Sequence, residues 1–226
     1  MRNNTLEAYF QPLRNVPFPE KMLFLGSGVT RPRYEWLVYP SIRINAKTLD
    51  MYTENRIFAV LTQLMSCNTV AKHGIFKGED PPYIFNFVYE VSLKYSLKNT
   101  YRKKTDKYIL AGISGIMQSE YYRDLPRISG GRRFTTGSLI ILFLLYADIK
   151  EYYIAGYDGY KKTRQFQQAD GKQWHGWFNG HDLNGDWILI ERAIAEAEKQ
   201  GKKVFVARDD TDTEDKSLLL SPPVSA

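Results

Sequence analysis

Arg132 and Arg133 stand before Phe134-Thr135-Thr136-Gly137-Ser138, and that cluster runs into SLIILFLLYADI, a block apolar enough to require burial. These groups suit an anion. A helix N-terminus offers unpaired N–H groups and the positive end of its dipole. Thr135, Thr136 and Ser138 add hydroxyl donors, Arg133 adds charge, and Gly137 lets a ligand approach the backbone. Threonine and serine are also ordinary helix caps, so the same residues read equally well as a plain N-cap. Gly26-Ser27-Gly28 is a second candidate turn, although it lacks the third glycine of a dinucleotide fingerprint and is not a P-loop. His181, in the loop FNGHDLNGDW, has the residue type of a general base near neutral pH. A lone loop histidine is more often a surface or capping residue, and His175 in QWHGWF is a rival. The chain has three histidines and one cysteine, Cys67, with no His-Glu-x-x-His helix, so no metal-ligand pattern is present.

The elements that must position these residues alternate in type. KMLFLGSG (residues 21–28) reads as a buried strand entering a Gly-Ser-Gly turn, and SIRIN (41–45) as a second strand. TENRIFAVLTQLMS (53–66) reads as a helix, with Ile57, Val60, Leu61 and Leu64 at helical spacing. YIFNFVYEVSLKYSL (83–97) fits both periods and stays open between helix and strand. KYILAGISG (107–115) and EYYIAG are strands stopped by glycine, the latter leading into a Gly-Tyr-Asp-Gly-Tyr turn. DWILIERAIAEAEKQG is an amphipathic helix, with Trp187, Ile190, Ile194 and Ala197 on one face and Gly201 closing it. KKVFVA is a last strand. This alternation predicts an α/β, Rossmann-like domain over residues 1–208: a mostly parallel sheet with helices on both faces. The tail 209–226, acidic and then Pro-containing, is expected to be poorly ordered. Ligands of open α/β sheets bind beyond the carboxyl ends of the strands, which is where the glycine turns, Asn45 and the GYDGY turn fall.

With 226 residues the chain is long enough for a core without staples, and its single cysteine excludes a disulfide framework. No apolar run approaches the ~20 residues of a membrane span and no signal core opens the sequence, so a cytoplasmic location is expected. The formal charge of +6 concentrates in KNTYRKKTDK and RDLPRISGGRR, runs that attract phosphorylated ligands, nucleic acid or an anionic membrane surface, or simply form solvated faces.

Five segments in order, LGSGVT, RIN, RRFTTG, KEYYIAGYDGY and GHDLNGD, resemble the motifs of the Campylobacter-type bacterial sialyltransferases. The resemblance is strongest from Arg132 to Val206 and thin from Asp50 to Asp106. It implies transfer of an acidic ulosonic sugar, sialic acid, from a CMP-activated donor to a glycan or glycolipid acceptor, with no cofactor and no metal needed in the chemical step. By that resemblance Gly26, Ser27, Gly28 and Asn45 hold the nucleotide, and Thr135, Thr136 and Gly137 hold the nucleotide and the donor carboxylate. Tyr160 hydrogen-bonds the departing phosphate, His181 deprotonates the acceptor hydroxyl, and Asp158 lies in or near the site. Ser27 replaces the family's usual asparagine. A second phosphate-binding tyrosine has no match, since the nearest aromatic is Phe166, and the segment between Tyr160 and His181 is shorter than in the family.

Three other readings stay open at the level of sequence. A CMP-Kdo transferase would use the same nucleotide and carboxylate, and could retain configuration through Asp158 as nucleophile. A non-catalytic nucleic-acid-binding domain would use the basic runs, but no RNP, KH or helix-turn-helix pattern is present. A stable, inactive relic would fit Ser27 and Phe166. A lipopolysaccharide or lipid-linked acceptor, with peripheral contact to an anionic membrane, would suit the basic surface. Homo-oligomerisation is compatible with the sequence.

Overall fold

Short apolar runs ended by glycine or by polar loops become strands, and they assemble into one sheet. The computed structural model describes residues 13–26, 28, 30–44, 48–49, 52–63, 82–88, 107–112, 135–157, 165–167, 173–175 and 183–207. Seven strands, β1 (Lys21–Leu25), β2 (Ser41–Ile44), β3 (Ile57–Gln63), β4 (Tyr83–Val88), β5 (Tyr108–Gly112), β6 (Glu151–Ala155) and β9 (Lys203–Val206), form a sheet in the order β5-β4-β3-β2-β1-β6-β9. Every neighbouring pair in it is parallel. A separate antiparallel pair, β7 (Gln165–Gln167) and β8 (Gln173–His175), sets Gln165 opposite His175 and Phe166 opposite Trp174.

Among the described residues, the helices α1 (Ile140–Tyr146) and α2 (Leu183–Lys199) pack on one face of this sheet. Phe143 of α1 is the hub there, edge-on to Phe24 at 5.5 Å and to Phe85 at 5.1 Å. The opposite face carries a 3-10 helix, Tyr34–Val38, whose Trp36 packs with Leu23, Leu25, Tyr153 and Ala155. The expected α/β fold with helices on both faces is therefore present.

The helix expected over residues 53–66 is corrected: Ile57–Gln63 is strand β3, between β2 and β4. The physical reason is burial on both faces. Ala59, Val60, Leu61 and Thr62 all have zero exposure, so the apolar residues are continuous, and a continuous run satisfies helical spacing by accident. The same two-sided demand resolves the open segment after Tyr83 into strand β4 as far as Val88. Residues 64–66, 89–97, the basic runs short of Lys107, Cys67, His73 and the tail 209–226 lie outside the described residues.

Helix α2 begins at Leu183, three residues ahead of the expected Asp186. It ends as expected, with Gly201 at φ +83°. The Gly201 N–H donates to the Glu198 carbonyl and the Lys202 N–H to that of Ala197, a Schellman closure. Lys202 then caps α1 as well, its Nζ donating to the carbonyls of Leu144 (2.7 Å) and Ala147 (3.1 Å), while the Tyr152 hydroxyl takes the Phe143 carbonyl at 2.7 Å. One lysine thus joins the ends of both helices, and its burial lowers its pKa.

At the amino ends of the strands, β1, β6 and β9 bring Lys21, Glu151 and Lys203 side by side. The Tyr153 hydroxyl donates to Glu151 Oε2 at 2.8 Å, and Lys21 and Lys203 lie 3.0 and 3.4 Å from its oxygens. The Tyr153 hydrogen bond first, then Lys21, pushes the Glu151 carboxyl down from 4.5 to about 2. A depressed carboxylate contributes stability that is present above the unfolded pKa and lost as pH falls through the folded one. Wild type is therefore expected to exceed Glu151→Gln in Tm above pH 4.5, with the gap closing as pH falls toward about 2. Thermal unfolding of both proteins across that range measures it; a gap that does not depend on pH contradicts the assignment.

Candidate functional site

The strand order reverses direction between β1 and β6: β2 to β5 extend from one side of β1, and β6 and β9 from the other. In open α/β sheets ligands bind at such a reversal, against the loops that leave the carboxyl ends of the two strands. Here those loops are LGSGVT after β1 and GYDGY after β6, two of the segments singled out in the sequence.

They are stitched together by backbone. Gly26 N–H donates to the Ala155 carbonyl (2.8 Å), and Gly28 N–H to the Gly156 carbonyl (2.9 Å). Gly156 N–H donates to the Thr30 hydroxyl at 2.9 Å. The approach is so close that a Cβ on Gly26 would sit 2.3 Å from the Gly156 oxygen, and one on Gly156, whose φ is +72°, would sit 2.4 Å from the Gly26 oxygen. Thr30 was not singled out from the sequence, although it closes the Gly-x-Gly-x-Thr pattern. Tyr157 continues the junction, since its ring lies 3.0 Å from the position of a Gly26 Cβ and 3.5 Å from that of a Gly137 Cβ.

Gly137 belongs to the third segment. The expected opening of an α-helix by Thr-Thr-Gly-Ser is modified: Gly137–Leu139 is a 3-10 turn, and α1 proper starts at Ile140. Thr135 Oγ1 accepts from Ser138 N–H at 3.3 Å, and the Ser138 hydroxyl donates to the Thr135 carbonyl at 2.7 Å. These two bonds tie Thr135 to Ser138 across the start of the turn. Ser138 is buried, Thr136 nearly so, while Thr135 and Gly137 are half-buried. The fourth segment arrives through Asp186, in the first turn of α2, whose Oδ2 accepts the Thr135 N–H at 2.9 Å. Asp186 was also not singled out, though it is the last residue of GHDLNGD.

The fifth segment lies on β2. Arg43 of Arg43-Ile44-Asn45 has zero exposure and turns toward the face of Trp36. Its Nε donates to Ser41 Oγ (2.9 Å), Nη1 to the Thr48 carbonyl (3.1 Å), and Nη2 to the Tyr52 carbonyl (3.0 Å) and Asn55 Oδ1 (3.2 Å). Burial lowers its pKa to about 10, which leaves it charged at neutral pH. Thr48 Oγ1 donates back to the Ile44 carbonyl at 3.1 Å, so the chain on both sides of Asn45 is pinned. Tyr52, at φ 50°, holds the left-handed conformation that its carbonyl's bond to Arg43 helps retain.

Ser27, Asn45, Arg133, Asp158, Tyr160 and His181 lie outside the described residues. The described chain reaches Gly26 and Gly28 around Ser27, Ile44 before Asn45, Thr135 two residues after Arg133, Tyr157 before Asp158, and Leu183 two residues after His181. His175 is described as part of β8.

The same fold also occurs in solved enzymes. The sialyltransferase CstII from Campylobacter jejuni, in complex with the substrate analogue CMP-3FNeuAc, superposes with a TM-score of 0.55 at 18% identity, over 84% of this chain and 81% of that one. The chain has the fold of this sialyltransferase. A variant of sialyltransferase CST-II in complex with CMP gives a TM-score of 0.54 at 15% identity, over the same 84% and 81%. CstII from the same organism with cytidine-5'-monophosphate gives 0.51 at 17%, over 83% and 79%. No protein-family model matches the sequence, and no curated protein is significantly similar to it. In the sialyltransferase-like fold of this chain, no helix among the described residues is long and apolar enough to cross a membrane.

Proposed function

We propose that this protein is a glycosyltransferase that moves sialic acid, or a closely related acidic ulosonic sugar, from a CMP-activated donor to a glycan or glycolipid acceptor. The observation that carries the reading is the convergence of separate motif segments. Gly26 meets Gly156, Gly137 meets Tyr157, and Thr135 meets Asp186, all beyond the carboxyl ends of β1 and β6. Arg43 and Ile44 end the adjacent strand β2, which runs parallel to β1, and Asn45 follows them in sequence. The structural neighbours bind CMP or a CMP-sugar analogue in complexes of the same fold.

In this reading Gly26, Ser27, Gly28 and Asn45 border the nucleotide, and Arg133, Thr135, Thr136 and Gly137 border the phosphate and carboxylate. Ser138 supports them from within the turn through its bond to Thr135. Tyr160 donates a hydrogen bond to the phosphate oxygen as the bond to the sugar breaks, where stabilisation of developing charge acts most strongly. His181 takes the acceptor proton as the hydroxyl attacks the anomeric carbon, and the chemical step needs no metal ion.

Calorimetric titration with CMP, UMP, GMP and AMP, without added metal, tests this. The expected result is selective binding of CMP, weakened in Thr136→Ala. Transfer from CMP-sialic acid is expected to fall about 100-fold in Tyr160→Phe, the usual cost of removing one such donor. Equal response to all four nucleotides overturns the reading.

A further inference from the structure

We propose that Tyr157 is a positioning residue whose ring sets the separation between the two turns that hold the donor, an inference that rests on the transferase reading. Tyr157 lies two residues beyond the end of β6 and is 8% exposed. Its Cδ2 is 3.0 Å from the position of a Gly26 Cβ, while its Cε1 and Cδ1 are 3.5 and 3.9 Å from that of a Gly137 Cβ. Cδ2 belongs to one edge of the ring, and Cδ1 and Cε1 belong to the other. The ring therefore stands edgewise between the Gly26 turn and the Thr135–Ser138 turn, and neither glycine puts a side chain in its way.

The two turns are anchored by different means. The Gly26 turn is fixed to the sheet, with Gly26 N–H on the Ala155 carbonyl and Gly28 N–H on the Gly156 carbonyl. The Thr135–Ser138 turn belongs to the helical layer, since it leads into α1 and Asp186 of α2 accepts the Thr135 N–H. Elements that meet through a packed side chain shift when the size or shape of that side chain changes. A planar ring with two χ angles holds such a distance more rigidly than a flexible aliphatic chain does.

This separation matters to a ligand that touches both turns. In the proposed site Gly26 and Gly28 border the nucleotide, and Thr135, Thr136 and Gly137 border the phosphate and carboxylate. A ligand gains from both places only when their spacing lets it engage them at once. Cytidine meets the first turn alone, whereas CMP reaches the second through its phosphate. The ratio of CMP affinity to cytidine affinity thus reports the spacing.

The test uses the full-length chain and compares wild type with Tyr157→Phe, Tyr157→Met and Tyr157→Leu. Calorimetric titration with CMP, and displacement of CMP by cytidine, give both affinities and the number of competent sites on each preparation. Tyr157→Phe keeps both edges of the ring and is expected to hold the ratio within about twofold of wild type. Tyr157→Met fills much of the space without the rigid breadth. It is expected to lower the ratio about tenfold, the worth of one hydrogen bond to a charged group, with cytidine affinity little changed. Tyr157→Leu is expected to do the same, and decides the matter where the methionine variant yields no folded protein. Partial loss of folded protein lowers the site count and leaves the ratio alone. An unchanged ratio in the methionine and leucine variants, or a Tyr157→Phe ratio as low as theirs, overturns the inference while selective CMP binding by wild type upholds the transferase reading. A wild type that responds alike to CMP, UMP, GMP and AMP overturns both.

Discussion

Gly26→Ala is expected to abolish CMP binding and to destabilise the fold by about 3 kcal/mol, the upper part of the range for overpacking a tight interior. The new Cβ would lie 2.3 Å from the Gly156 oxygen, 2.9 Å from its carbonyl carbon and 3.0 Å from Tyr157 Cδ2. Two of those atoms are backbone at the end of β6, so no side-chain rotation relieves the clash, and the loops must part. The requirement for glycine is one of proximity. Gly201 provides the contrast: its φ is +83° and nothing lies within 4 Å of a Cβ there. Gly201→Ala is expected to cost only the left-handed strain, about 1–2 kcal/mol, and to leave nucleotide binding intact. Denaturant titration gives the stability of both variants and calorimetry their CMP affinity. Wild-type affinity in Gly26→Ala would contradict the close junction of the two loops.

Arg43→Lys, chemically the mildest change to that side chain, is expected to destabilise the protein by about 3 kcal/mol. The guanidinium serves Ser41, Thr48, Tyr52 and Asn55 together, and an ammonium on a flexible stem cannot span that fork. Each buried acceptor left without its donor costs about 1–3 kcal/mol, partly recovered by relaxation or by an entering water. The damage extends to Asn55, whose Nδ2 donates to the carbonyls of Leu37 (2.7 Å) and Tyr39 (2.6 Å) and thereby holds the 3-10 helix over the sheet. It extends also to Thr48 and hence to the chain flanking Asn45, so CMP affinity is expected to fall with stability. Urea unfolding with parallel CMP titration measures both. A stability loss below about 0.5 kcal/mol would mark the network as surface-like, in conflict with the burial of Arg43.

The gap between sequence and structure falls in particular places. Local signals sufficed for β1, β2, β5, β6 and β9, each a short apolar run with a glycine or polar stop, and for α2, whose apolar face and terminal Gly201 are written within one helix. They failed at β3 and left β4 open. Of the candidate site, the motif segments themselves were legible, including Gly26, Gly28, Thr135, Thr136 and Gly137. Thr30 and Asp186 stood in their motifs without a role, and Tyr157 without mention, because their parts are played through partners remote in sequence: Thr30 through Gly156, 126 residues on, and Asp186 through Thr135, 51 residues back. That the Ser138 hydroxyl donates to the Thr135 carbonyl was not legible either, because it depends on which way the hydroxyl faces once Ile140 and its neighbours are buried.

By itself, then, the sequence determined that strands and helices alternate, that the polar and glycine-rich residues follow the strands' carboxyl ends, and in what order those segments come. These are properties of residues and their near neighbours, set by side-chain spacing and backbone freedom. Only the tertiary structure decided that β6 lies beside β1, that Gly26 touches Gly156, and that the Arg43 side chain is enclosed by the chain on either side of it. Strand order in a parallel sheet comes from packing the whole core at once, and two-sided burial erases the periodicity that would otherwise report it.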